Sequence, residues 1–535
     1  MEQSFDYIVV GAGSAGCALA YRLAENTAHR VLLLEAGGRA WNPMIHVPLG
    51  FAFLLKKHRN NWNYTTRAEP HLNGRLVDLP RGRVLGGCSA INGMVYVRGQ
   101  AADYDHWASL GNDGWSYADV LPYFRRSEDF EGGANTYHGT HGPMHVSLTE
   151  AEFPLCEDFI NGAKQSGHPF NADINGPSQE GVGYFPATIK RGRRQTSAGA
   201  FLKIGRGLKN LTVLTGAETR KIEISDQRAT GVECVIRGNS VRFTASREVV
   251  ACAGAINSPK LLELSGIGQA ERLQRLGIPL IRDLPGVGEN LHDHWNSYIV
   301  REVQQGATYF SESKPLPMLR NLLRYLTSGD GFLGKPAAHV AVFYSALTQG
   351  GHPDAQIHFS PAASVASDSG NLTPIDGVTI ASCGLRPTSR GSTHISTAHP
   401  EHTPDICVNY LATGHDQQLA VAAFRKARDI LAAEALAVYG GSEVRPGAGV
   451  TSDEDILNYI CREGDPVHHL AGSCKMGSDE LAVVDSRLQV RGIDGLRVAD
   501  ASIMPAIVSG NTHAACVMIA EKTADMMLQT SSTQQ

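Results

Sequence analysis

"FDYIVVGAGSAGCALAYRLAENTAHRVLLLEAG", residues 5–37, is the stretch whose reading decides the fold. Residues 5–10 are a short apolar run of the kind that forms a strand buried on both faces of a parallel sheet. Residues 15–24 are helix formers, and residues 31–34 make a second buried strand ending at Glu35. The turn between strand and helix is "GAGSAG", 11–16. Gly11 permits the tight bend, Gly13 lets the backbone approach a pyrophosphate, and Gly16 lets the helix lie close against the strand. At the helix start, Ser14 and Ala15 offer unpaired N–H groups and the positive end of the dipole to phosphate. Glu35, followed by Ala36, stands 19 residues after Gly16, where a carboxylate holds ribose hydroxyls. That carboxylate argues for an unphosphorylated ribose, so NAD or FAD rather than NADP. One such fingerprint is present, with no second βαβ unit prepared for another dinucleotide.

The rest of the composition narrows the class. A chain of 535 residues exceeds one compact core, so two or three structural units are expected. A net charge of −5 without runs of like charge argues against nucleic acid as the main partner. Ten scattered cysteines with no C-x-x-C pair argue against a disulfide framework or metal cluster, and suit a reducing compartment. No apolar run reaches the length of a membrane span, and "MEQSFDYIVV" runs straight into a strand without a leader. A cytoplasmic protein is expected, with peripheral membrane association left open. Residues 40–150 read as turn-rich, 211–255 as short strands, and 295–450 as a mainly β-sheet, substrate-facing region. The last segment reads as strand, loop and a long helix from near Thr512.

"DPVHHLAGSCKMG", 465–477, sets His468 beside His469. On an extended backbone neighbouring side chains face opposite ways, so one ring at a site leaves the other turned elsewhere.

Four separated blocks, taken together, resemble the glucose–methanol–choline (GMC) oxidoreductases, a family of FAD enzymes. They are "DYIVVGAGSAG" (6–16), "GRVLGGCSAIN" (82–92), "GAINSPKLLELSGIG" (254–268) and the C-terminal pair "HHLAGSCKMG" and "RVADASIMPAIVSGNTH". Within the family the chain looks most like choline-dehydrogenase-like and sorbose-dehydrogenase-like alcohol dehydrogenases. The resemblance implies an α/β fold, α+β in part: a Rossmann-type FAD-binding domain and a substrate domain built on an antiparallel sheet. The implied division gives 1–155, 205–295 and 465–535 to the first, and 156–204 and 296–464 to the second.

The same resemblance assigns residues. The glycine-rich loop with Val84, Gly86 and Gly87, and Asn92, Gly93, Met94 and Val95 after it, would lie against FAD. Some members join the flavin to a histidine where this chain has Ile91, so FAD is expected to be non-covalent. Trp62, Thr219, Asp500, Ala501, Asn511 and Thr512 would complete the cofactor site, with His468 beside the flavin or in the pocket wall. His469, in an H-x-x-G-S context, would be the catalytic base, and His513 would hydrogen-bond the developing alkoxide. The implied reaction is oxidation of an alcohol to an aldehyde or ketone by hydride transfer to flavin N5. A quinone, a dye or O2 would take the electrons, a dehydrogenase being favoured over an oxidase. The competing readings are a hydroxynitrile lyase with redox-silent FAD and a flavoprotein with a degenerate site. Phe332, Phe343, Tyr344 and Phe359 are expected in the core or on the pocket wall. No metal ligand set is expected.

Overall fold

The computed structural model describes residues 3–56, 58–150, 153–347, 351–366 and 372–532. The opening stretch forms the strand Gln3–Val10, the helix Ser14–Glu25 and the strand Val31–Glu35. Both strands are buried in a sheet ordered Leu211–Thr215, Val31–Glu35, Gln3–Val10, Asn239–Ala251, Arg228–Ile236 and Ala217–Ser225. The first four pair in parallel, with Val9 opposite Leu33 and Val250. Parallel pairing requires crossovers and cover on both faces, which explains the unbroken apolar runs. The long strand Asn239–Ala251 changes role along its length. Its far half pairs in parallel with Gln3–Val10 and Leu496–Val498, while its near half joins an antiparallel meander.

A second sheet is wholly antiparallel. Its order is Glu443–Arg445, Trp295–Glu302, Gly377–Gly384, Ala355–Ser360, Val340–Tyr344 and Gly181–Tyr184, with Asp465–Pro466 also on Trp295–Glu302. The helix Gly414–Leu431 packs its buried face on this sheet. The 295–450 region is therefore sheet-based, as its sequence suggests, with that 18-residue helix and the helix Pro315–Ser328 added.

Residues 40–150 are less turn-like than composition implies. Ala101–Ser109 and Tyr117–Ser127 are helices, the second closed by a reciprocal cap between Ser116 and Asp119. Trp107 and Trp115 bury their rings against each other between these helices, a tertiary gain that local propensity does not display. The terminal helix His513–Ser532 lies on Ser14–Glu25, where buried Glu521 accepts from both Arg22 and Arg126. That contact brings the chain's last segment back to the glycine turn of its first. All ten cysteines are free thiols, and among the described residues no helix is long and apolar enough to cross a membrane.

Candidate active site

A cavity of about 510 Å³ runs from the glycine turn to the second sheet. At its first end Gly11 takes φ +101°, a left-handed conformation that favours glycine, beside the carbonyl of Cys252. Gly13 has no side-chain cap over the helix start and open space at its absent Cβ, so the helix N–H groups face the cavity unclaimed. Glu35 accepts from the N–H of Ala12 at 3.1 Å and of Gly37 at 2.8 Å, which fixes its carboxylate at the strand end. Burial pushes that carboxyl up to about 7 despite both bonds. This cradle fits the ribose and phosphates of a dinucleotide.

Most of the residues named from sequence line the cavity: Gly11, Gly13, Ser14, Ala15, Glu35, Ala36, Trp62, Gly87, Asn92, Gly93, Met94, Val95, Thr219, His468, His469, Asp500, Ala501, Asn511, Thr512 and His513. Gly16, Val84 and Gly86 do not. Gly16 packs the helix onto Gly11, Val84 is buried in a small apolar cluster, and the Gly86 N–H donates to the Ala12 carbonyl. These three shape the turn from behind. Phe332, Phe343, Tyr344 and Phe359 are core residues away from the cavity.

The histidine doublet departs from the extended-backbone expectation. His468 takes φ +66°, so the two rings are not thrown to opposite sides, and both line the cavity. The carbonyl of His468 accepts from Arg81 Nη2 at 2.7 Å, which anchors this bend. Burial and then Arg81 lower the His468 ring to about 3.

His469 has a defined tautomer. The Leu385 carbonyl can only accept, so His294 Nε2–H donates to it at 2.9 Å, leaving His294 Nδ1 with a lone pair. The Nδ1–H of His469 must therefore donate to His294 Nδ1 at 3.0 Å. His469 Nε2 is then free of its proton and accepts from Asn511 Nδ2 at 3.1 Å. Buried Asp293 fixes both histidine segments, accepting from the backbone N–H of His294 and His469 at 2.8 and 2.6 Å. Its other oxygen accepts from Tyr410 at 2.9 Å. Burial, then the neighbouring His294, His358 and His468, hold the His469 ring well below its ordinary value. It is neutral at physiological pH, as a proton acceptor must be.

His513 has different company from the sequence reading. Its Nδ1 lies 3.0 Å from Ser14 Oγ, at the glycine turn, and its Nε2 has no partner. The residue that meets His469 is Asn511, two positions earlier. A loop residue ahead of the helix reaches across, whereas the first helical residue points at the turn. Sequence reading also passed over Arg81, His294, Asn296 and His358. The run "NLHDH", 290–294, with two histidines and an acid in five residues, was a usable signal for His294.

The buried histidines give the fold a pH dependence. His292 and His339 are lowered to about 3, and His294, His358 and His513 to about 4, in each case first by burial. The unfolded chain protonates these rings near 6.5, so below that pH it binds more protons than the folded chain. Their contribution is fully present above about pH 6.5 and is lost as pH falls towards the folded values. A melting series from pH 7.5 to pH 5 should show the midpoint fall by more than about 5 °C. An unchanged midpoint would show that these rings are charged in the folded chain.

Comparison with known proteins identifies the family. The GMC oxidoreductase family models match residues 5–296 and, for the C-terminal domain, residues 387–520. The chain is 41% identical to the mitochondrial choline dehydrogenase of Mus musculus, over 98% of this chain and 90% of that one. It is 40% identical to the oxygen-dependent choline dehydrogenase of Brucella suis biovar 1 (strain 1330), over 98% and 95%. Among solved structures, pyridoxine 4-oxidase from Mesorbium loti superposes with a TM-score of 0.88 at 33% identity, covering 97% of this chain and 98% of that one. A formate oxidase structure gives 0.93 at 27% identity, with full coverage of both chains. With a dinucleotide cradle opening onto a neutral imidazole, and these matches along nearly its whole length, the chain belongs to the GMC oxidoreductase family and is an FAD-dependent alcohol oxidoreductase.

Proposed function

We propose that the chain oxidises a CH–OH group to an aldehyde or ketone, with His469 as base and Asn511 as its partner at the substrate oxygen. The observation that carries this reading is the unprotonated Nε2 of His469, fixed by the His294 relay and aimed into the cavity beside Asn511 Nδ2. Bound non-covalently, FAD supplies the hydride acceptor. His469 takes the hydroxyl proton, which makes the carbinol hydrogen a far better hydride donor. Asn511 donates a hydrogen bond to the oxygen as negative charge develops on it. His513, Ser14 and the start of the terminal helix hold the cofactor. Residues 1–155, 205–295 and 465–535, with the mixed sheet, form the FAD domain, and 156–204 with 296–464 form the substrate domain. A quinone or dye is the favoured acceptor and O2 the second, since one relative carries "oxygen-dependent" in its name.

Anaerobic mixing of the FAD-loaded protein with a panel of alcohols tests the reading. Flavin bleaching is expected, and its absence with every alcohol would leave a redox-silent lyase in its place. Repeating the reaction in air with peroxide detection separates oxidase from dehydrogenase. The relay has its own test. With His294→Phe, His469 loses the acceptor that fixes its tautomer. Flavin reduction should then slow by about 10- to 100-fold with FAD content unchanged. An unaltered rate would show that the tautomer is set elsewhere.

A further inference from the structure

The wall facing His469 and Asn511 comes from the antiparallel sheet. Asn296 and Tyr298 stand on Trp295–Glu302, His358 and Ser360 on Ala355–Ser360, and Thr379 and Ala381 on Gly377–Gly384. Every side chain of that wall is uncharged at neutral pH. The carboxylates among the described lining residues are Glu35, Glu218 and Asp500, all at the dinucleotide end. Each is committed there. Glu35 holds the N–H groups of Ala12 and Gly37, Glu218 pairs with Arg83 at 2.7 Å, and Asp500 accepts from the Gly254 N–H and the Ser258 hydroxyl. Asp293 lies behind the histidines, with both oxygens occupied by His294, His469 and Tyr410.

Apart from Asp293, whose oxygens are already occupied, the charges that act on the site histidines are positive. Burial lowers His468, His469 and His513 most; Arg81, bonded to the His468 carbonyl, adds to the lowering of the first two, and buried Arg194 to that of His513. The two aromatic rings best suited to a cation already carry one. The Arg83 guanidinium sits 4.6 Å from the Trp62 centroid, and that of Arg445 5.6 Å from Tyr298. A quaternary ammonium group, which cannot hydrogen-bond, needs a carboxylate or a free aromatic face to replace its water. This wall offers hydrogen bonds instead. The Asn296 Oδ1 and the His468 Nδ1 are buried without partners, and the two buried ring nitrogens of His358 have only the Asn511 side chain near them. Such atoms are costly unless a ligand satisfies them.

We propose that the alcohol taken by this site is electrically neutral and carries a second hydrogen-bonding group that reaches the His358–Asn296 wall, so that a quaternary ammonium alcohol is a poor substrate. The proposal rests on the alcohol-oxidoreductase reading and separates this chain from the substrate named for its choline dehydrogenase relatives.

Three alcohols of one shape test it. Choline, 3,3-dimethylbutan-1-ol and 3-methylbutane-1,3-diol place a trimethylammonium, a tert-butyl and a hydroxylated head on the same two-carbon arm. The FAD-loaded protein is mixed with each anaerobically, and the second-order rate constant of flavin bleaching is measured. The neutral tert-butyl alcohol is expected to exceed choline by about fivefold or more; any smaller ratio, or a preference for choline, overturns the exclusion of cations. The diol is expected to exceed the tert-butyl alcohol, and His358→Phe to abolish that gain. No gain for the diol, or a gain that survives in the variant, overturns the hydrogen-bonding half. Ser360→Glu, which adds a carboxylate to the wall, should raise choline at least about tenfold relative to the tert-butyl alcohol. A choline preference in the unaltered protein leaves the alcohol reading standing and removes only this proposal. Flavin that stays oxidised with all three and with a wide alcohol panel removes the reading and the proposal together.

Discussion

Substitution of His469 by alanine is expected to lower kcat/KM for alcohol oxidation by about 10²- to 10⁴-fold without loss of bound flavin. His469 Nε2 is the unprotonated ring nitrogen that the His294 relay directs at Asn511. Removing it takes away the acceptor that stands beside Asn511. Because burial and the surrounding histidines hold the ring well below its ordinary pKa, its loss of activity on protonation falls below about pH 6.5. The rate constant for flavin reduction should accordingly stay level from pH 6.5 upwards and fall on the acid side. His513→Ala is the discriminating control. With its ring on Ser14, that variant should lose less than about tenfold in rate, within the range of indirect effects, and show weaker FAD retention. Equal losses in rate for the two alanine variants would instead pair His469 with His513. A full rate in His469→Ala would remove the proposed base.

Gly16→Ala should produce the largest loss of cofactor. A Cβ there would overlap the carbonyl oxygen of Gly11 and stand 3.2 Å from the Cβ of Cys252. Both lie in the turn and the adjoining strand end, so the helix itself must move outwards. The helix start then leaves the position from which its N–H groups face the phosphates. The expected results are a flavin-to-protein absorbance ratio below half that of the parent and a lower melting midpoint. The overpacking cost is about 1–3 kcal/mol. A fully loaded variant would show that the helix accommodates the methyl by a smaller adjustment than the packing allows.

Which parts of this protein were legible in its sequence follows from the range of the forces involved. The βαβ unit was readable because turn geometry, helix propensity and the apolar runs act within 33 consecutive residues. The two helices between residues 101 and 127 escaped because their stability comes from Trp107, Trp115 and a reciprocal cap rather than from composition. His469 was singled out by the spacing of its motif. Its partner was not, because Asn511 and His513 are two residues apart and only the direction of each side chain separates them. His294 lies 175 positions from His469 and reaches it from just ahead of a strand of the other sheet.

By itself, the sequence determined the dinucleotide cradle, the class of fold and the positions from which a base could come. The first follows from local backbone geometry and from patterns of burial, and the other two from the resemblance to the GMC family. Only the tertiary structure decided which nitrogen of His469 is free of its proton, that Asn511 stands beside it, and that the opposite wall is uncharged. These depend on side chains brought together from the glycine loop, two sheets and the start of the terminal helix. Their spacing along the chain carries no trace of their distance in space.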